Sequence, residues 1–236
     1  MSANIAALSQ LSEAEAFSRW LEIPGDWVEE PNVRRGGMSG VKRIYSDQGQ
    51  MLYRKQQAGH IFRSLRHPLG YPTVMREREA LLACVALDVP VPPLVFAECR
   101  KNQGEWQALL VTEALDGYKS LEDCYAEQLE QTWGEALHQQ VLQAFGRVLG
   151  RLNRGHWQHG CLRLKHVFVR LKGAMPEVAL LDLEKARRRF FAAQAAGHDL
   201  HQVQRRLGMS EVQWQVFLEG YRSTYGAAVP KVIGRG

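Results

Sequence analysis

The chain lacks any long hydrophobic run. No stretch of 18 apolar residues occurs, so no helix is expected to cross the roughly 30 Å hydrocarbon core of a bilayer. Residues 1–15 hold no basic segment followed by an apolar core and a small-residue cleavage site, which argues against a secretory leader. Cysteine is scarce. Four residues, at 84, 99, 124 and 161, sit singly with no C-x-x-C spacing, and the expectation is free thiols in a reducing cytoplasm. His156, His198 and His201 show no ligand spacing with those cysteines, so no zinc site is expected from them. A strong charge of one sign is also missing. Thirty Lys and Arg against 25 Asp and Glu leave +5, which admits a nucleotide, a phosphorylated glycan or a membrane surface as partner and selects none. A helix-turn-helix pattern between 199 and 222 comes without a clustered basic stripe, so nucleic acid is not expected.

What remains is an ordinary globular composition, 45% apolar and 23% charged. A chain of 236 residues buries roughly 70% of its unfolded surface and needs no disulfide or metal staple. Ser12 and Glu15 form a capping-box pair that predicts a helix from Ser12 to Leu21. Strands are predicted at Val41–Tyr45 and Met51–Gln56 around a turn-rich SDQGQ, then again at Leu94–Cys99 and Gln107–Thr112. Residues 58–72 read as an irregular insertion. Between the strand pairs, Thr73–Leu87 reads as a helix with Val74, Leu81, Leu82 and Val85 inward, stopped by Val-Pro-Val-Pro-Pro at 89–93. The second half is helical at Leu121–Gln128, Trp133–Asn153 and from 199 to 225, with starts expected at Asp199 and Ser210. One hairpin, Val167–Leu171 with Val178–Leu183, interrupts it. Trp157 and Trp214 read as core.

Four features carry chemistry. Arg35-Gly36-Gly37-Met38-Ser39-Gly40-Val41 precedes a strand, and glycines let backbone N–H groups approach a phosphate closely. The run is neither a Walker loop nor a G-x-G-x-x-G opening a helix. Lys55 lies in the next strand, where an ammonium can meet nucleotide phosphates if a carboxylate positions it. Glu77 or Glu79 on the following helix could supply that carboxylate, and being about 200° apart only one can face the lysine. Last come HGCLRLKHVFV at 159–169 and an apolar strand running into Asp182, whose carboxylate could grip a cation on a triphosphate. Read singly, each is a plain turn or a solvated charge; the order of the parts is informative.

With RRGGMSGV at 34–41, LYRKQ at 52–56, REREAL at 76–81, VPVP at 89–92, TEAL at 112–115, HGCLRLKHVFV at 159–169 and LLDLEKARRR at 180–189, the chain resembles the Kdo/WaaP lipopolysaccharide-core kinase family, in its InaA branch. The resemblance spans roughly residues 30–225. It implies an α+β, protein-kinase-like two-lobe fold: an extension at 1–30, an N-lobe at 31–113 and a helical C-lobe at 114–236. It also implies an ATP- and Mg²⁺-dependent phosphotransferase acting on a sugar hydroxyl of lipopolysaccharide core or a similar glycan, cytoplasmic and peripheral at the inner membrane. Gly36, Gly37, Ser39 and Gly40 would cover the nucleotide. Lys55 would anchor its phosphates with Glu77 as ion-pair partner, and Glu113 would fall in the adenine hinge. Asp182 and His166 would hold metal, and His159, Cys161 and Lys165 would line the catalytic-type loop.

One departure bears on activity. Two positions after His159, where kinases carry the aspartate that accepts the acceptor hydroxyl's proton, stands Cys161. An ordinary thiol is only a few per cent ionised at pH 7 and accepts hydrogen bonds poorly. General-base help is worth roughly 10²–10⁴-fold, so the resemblance leaves two outcomes, a kinase and a pseudokinase that serves as a binding or regulatory module. The basic run Lys185, Arg187, Arg188, Arg189 followed by Phe190 and Phe191 suits an anionic membrane or a phosphorylated glycan.

Overall fold

A computed structural model describes residues 2–28, 30–34, 37–64, 67–173 and 175–230. The chain divides into two units, Met1–Glu79 with Pro92–Ala114, and Ala80–Val91 with Leu115–Gly236.

The first unit opens with helices α1 (Ile5–Leu8) and α2 (Glu13–Glu22). Ser12 and Glu15 close the expected capping box on α2. Strands β1 (Asp26–Trp27), β2 (Asn32–Arg34), β3 (Gly37–Tyr45) and β4 (Met51–Ala58) follow, then a short pair β5 (Ile61–Phe62) and β6 (Tyr71–Pro72). Helix α3 (Thr73–Ala86) comes next, then β7 (Leu94–Asn102) and β8 (Glu105–Glu113). Among the described residues, six strands form one antiparallel sheet, β1-β3-β4-β8-β7 with β2 on β3. The segment 58–72, expected to be irregular, carries the β5–β6 ladder, and His67 stacks on Tyr71 with ring centroids 4.3 Å apart.

Helix α2, within the segment 1–30 expected as an N-terminal extension, packs on the sheet of this unit. Phe17, Trp20 and Ile23 bury against Ile44, Leu52, Leu109 and Val111 of the sheet, so α2 forms one wall of this unit's core. Arg54, on the same face of β4 as Leu52, is almost fully buried. Its Nη1 donates to the carbonyls of Trp20, Leu21 (3.2 Å) and Ile23 (2.8 Å), satisfying the carbonyls that the end of α2 leaves unpaired.

The second unit holds β9 (Lys119–Ser120), α4 (Leu121–Ala126), α5 (Leu129–Arg154), β10 (Trp157–Gln158), β11 (Val167–Lys172), β12 (Met175–Leu180), β13 (Arg187–Arg188), α6 (Ala192–Arg206) and α7 (Glu211–Tyr225). Residues 80–91, expected in the N-lobe, cluster with this unit, and the Pro90 carbonyl accepts the Leu180 N–H (2.9 Å) at the end of β12. α5 breaks at Gly134 (φ 72°), close to the expected start at Trp133. Its buried face (Val141, Leu142, Phe145, Val148, Leu149, Leu152) meets Trp214, Phe217 and Tyr221 of α7. Trp214 is core as expected; Trp157 is only half-buried.

Two expectations fail in instructive places. Leu82 and Val85 face solvent, and the buried face of α3 runs through Val74, Glu77, Leu81 and Cys84. α6 starts at Ala192 rather than at Asp199, which is fully buried in mid-helix.

Candidate functional site

In the first unit, side-chain alternation puts Lys55 and Gln57 on the face of β4 opposite Arg54. α3 follows Pro72 without a capping residue of its own. Gln57 fills that place: its Oε1 accepts from the Thr73 hydroxyl (2.9 Å) and the Val74 N–H (3.1 Å). One helical turn on, Lys55 Nζ meets Glu77 Oε2 at 2.7 Å, both side chains mostly buried. The geometry follows from the two repeats. Two strand residues rise about 6.8 Å and four helical residues about 6.0 Å, so Gln57/Thr73 and Lys55/Glu77 form parallel rungs. Glu79 points to solvent.

Gly37, Ser39 and Gly40 lie within β3 rather than in a free loop, Gly37 opposite Arg34 of β2 and Ser39 and Gly40 opposite Gln57 and Gln56 of β4, and Gly36 lies outside the described residues. Ser39 Oγ accepts from Gln57 Nε2 (3.2 Å). A Cβ on Gly40 would come within 2.5 Å of the Trp27 ring, so a larger residue there would displace that half-exposed ring. Glu113 ends β8 with its N–H donated to the Pro93 carbonyl (2.9 Å), so that donor is already in use.

In the second unit, the segment 159–166 is held by α6. Asp199 Oδ2 accepts from the His159 N–H (2.7 Å) and Asn153 Nδ2 (2.9 Å), and its Oδ1 accepts from the Gly160 N–H (3.1 Å). Gln202, three residues on and so on the same helix face, takes the Leu162 N–H (2.8 Å) and donates to the Gly160 carbonyl (3.0 Å). Gly160 has φ 83°, and a Cβ there would sit 2.4 Å from the Lys185 carbonyl oxygen.

His159 is fully buried. Its Nε2 lies 2.9 Å from the Leu181 carbonyl, which can only accept, so Nε2 carries the proton and Nδ1 faces the Cys161 N–H (3.4 Å). Burial pushes its pKa down. With both ring nitrogens on backbone, His159 positions the loop. Lys165 is exposed on a 3₁₀ turn, Leu164–His166.

His166 is buried, with Nδ1 2.6 Å from the Cys161 carbonyl and Nε2 3.3 Å from Asp182 Oδ2. Burial lowers its pKa, opposed by the Asp182 carboxylate. Asp182 follows β12 by two residues and adopts a left-handed backbone (φ 61°, ψ 62°). Such conformations cost about 1–3 kcal/mol in ordinary residues and gather at working sites.

A family model described as lipopolysaccharide kinase (Kdo/WaaP) family matches residues 18–221. The chain belongs to that family. Protein InaA of Escherichia coli (strain K12) is 39% identical over 193 residues, 82% of this chain and 88% of that protein. Among solved structures, WaaP in complex with acyl carrier protein is similar with a TM-score of 0.67 at 17% identity, covering 94% of this chain and 88% of that one. The amicoumacin kinase hAmiN in complex with AMP-PNP, Ca²⁺ and Ami gives 0.57 at 13% identity, covering 94% and 80%. The fold of this Kdo/WaaP family member is therefore the protein-kinase-like two-lobe fold. No described helix is long and apolar enough to cross a membrane.

Asp199 and Gln202, which hold the loop, were missed from sequence. An aspartate followed by apolar residues at helical spacing reads as a helix cap, and nothing local shows that its partners lie some 40 residues upstream.

Proposed function

We propose that the chain is an ATP-dependent phosphotransferase whose acceptor is a sugar hydroxyl of lipopolysaccharide core or a similar glycan. The observation that carries this reading is the Lys55–Glu77 pair at 2.7 Å, which fixes an ammonium on a strand in the way phosphate anchoring requires. Lys55 binds the nucleotide phosphates as a point charge and Glu77 keeps it oriented. Gly37, Ser39 and Gly40 of β3, with Gly36 adjacent in sequence, cover the phosphates, and Glu113 contributes its backbone carbonyl to the adenine hinge.

Asp182 holds the divalent cation, with His166 beside it. One carboxylate completed by phosphate oxygens and water suits Mg²⁺, so that part of the donor set fits; the His166 nitrogen and the Cys161 sulphur are poor ligands for it. A bound cation would neutralise charge on the transferring phosphoryl group. Lys165 and the 159–166 loop receive the acceptor. Phe190 and Phe191, 90% and 67% exposed beside exposed Arg187 and Arg188, support contact with the anionic face of the inner membrane from the cytoplasm.

Cys161 favours a second reading, a pseudokinase, because its thiol stands where the proton-accepting carboxylate is expected. Transfer of ³²P from ATP to purified lipopolysaccharide, run with wild type and Cys161→Asp together, separates the two. A kinase gives transfer above background in wild type and more in Cys161→Asp. Equal background in both refutes the phosphotransferase reading.

A further inference from the structure

The resemblance pairs His166 with Asp182 as metal holders and leaves Cys161 apart, yet the fold converges the ligand atoms of all three to within 4.8 Å of one another. The cluster lies wholly in the second unit. His166 Nε2 and Asp182 Oδ2 are 3.3 Å apart. That is about the edge of a tetrahedron with metal–nitrogen and metal–oxygen bonds of roughly 2.0–2.2 Å, and a metal–sulphur bond of about 2.3 Å lengthens the edges to sulphur only slightly. The sulphur therefore needs to move by about an ångström at most.

Three features suit a metal ligand set. The Cys161 carbonyl can only accept, so it holds the proton of His166 on Nδ1, and Nε2 faces the carboxylate with the orientation that ligating histidines receive from an outer partner. Cys161 and His166 are buried, which gives the site a dry wall, while the Asp182 side chain is about 40% exposed and leaves an entry path. The loop that carries sulphur and imidazole is pinned at both ends, by Asp199 at His159–Gly160 and by the His166 carbonyl to the Leu181 N–H (2.9 Å).

We propose that Cys161, His166 and Asp182 form a site for a thiophilic divalent cation of the zinc type, filled in the absence of nucleotide. The sulphur–nitrogen–oxygen donor set discriminates against Mg²⁺, which prefers oxygen, and for cations that accept imidazole and thiolate. Coordination forms one metal–sulphur bond and releases the thiol proton to solvent, with no change of oxidation state, so apparent affinity rises with pH. Three protein ligands leave the fourth tetrahedral position for water or another small ligand. Because Asp182 is shared, this cation and the cation of a bound nucleotide would compete. The site stands on the geometry of one unit and does not rest on the nucleotide reading.

The test is titration of the reduced, full-length protein with Co²⁺ in nucleotide-free buffer, followed by absorption. Wild type should develop a thiolate-to-cobalt charge-transfer band that stoichiometric Zn²⁺ removes and the same concentration of Mg²⁺ leaves. Cys161→Ser should lose the band. Asp182→Asn, at a partly exposed position that keeps the test alive if the cysteine variant fails to fold, should weaken binding by more than about 100-fold, since losing an outer partner alone costs roughly 10–100-fold. Cys99→Ser should retain the band. Absence of the band in wild type, its persistence in Cys161→Ser, or displacement by Mg²⁺ overturns the proposal. A wild type that binds cobalt but not ATP upholds the site and rejects the nucleotide reading instead.

Discussion

Asp199→Ala is the perturbation whose cost can be worked out most directly. The carboxylate is completely buried and accepts from His159 N–H, Gly160 N–H and Asn153 Nδ2 at 2.7–3.1 Å. Asn153 Nδ2 keeps a second acceptor, the Trp157 carbonyl, so the truncation leaves two backbone donors without a partner. Each orphan costs about 1–3 kcal/mol, so the two together cost about 2–6 kcal/mol. For a chain of this size the melting temperature should fall by about 4–24 °C. Asp199→Asn retains one acceptor oxygen and should lose about half as much. Urea denaturation supplies the free energy, and amide exchange supplies the location: His159 and Gly160 should lose protection before the α5–α7 core does. A loss below about 1 kcal/mol in Asp199→Ala, with the two amides still protected, would refute the claim that this side chain holds the loop.

Other predictions follow from the same packing. Gly160→Ala should destabilise by about 2–4 kcal/mol in urea melts, since it combines a left-handed backbone with a Cβ 2.4 Å from the Lys185 carbonyl oxygen; a neutral effect would mean the loop relaxes freely. Glu77→Ala should cost about 1–3 kcal/mol and Glu79→Ala less than about 0.5, because one carboxylate is buried on Lys55 and the other faces solvent; equal losses would contradict the pairing. Stability should decline as pH falls. His159 and His166 both have folded-state pKa values pushed below the ordinary 6.5 by burial, so the unfolded chain binds more protons, and this contribution is present above about pH 6.5 and lost beneath it. The urea midpoint should drop between about pH 7.5 and 5.5, with a shallower slope in His159→Gln, and a flat profile would count against the buried neutral imidazoles.

What could be read from the chain in advance tracks the range of the forces involved. The capping boxes at Ser12/Glu15 and Ser210/Gln213 close within one turn, and both helices start where the sequence places them. Alternation within β3, β4, β7 and β8 is equally local, and those strands were legible to within a few residues. Leu82 and Val85 face solvent although both are apolar, and the buried face of α3 instead admits Glu77, whose charge is met by Lys55. The start of α6 was hidden because Phe191 offers no capping side chain, whereas Asp199, a good cap by type, is spent on backbone amides of a distant loop. The order of lysine, glutamate and aspartate could be read from the resemblance; the Asp199–Gln202 support and the convergence of Cys161 on Asp182 could not, since each joins segments more than 20 residues apart.

The central proposal is that the chain binds Mg-ATP and that Lys55 and Asp182 each contribute to that binding. Thermal unfolding of wild type, Lys55→Ala and Asp182→Ala with and without Mg-ATP tests it most directly. At a ligand concentration about 100 times Kd, wild type should gain about 2.7 kcal/mol, a rise of about 5–11 °C, and both variants should lose that gain. An undiminished rise in either variant, or none in wild type at any ATP concentration, would contradict the account.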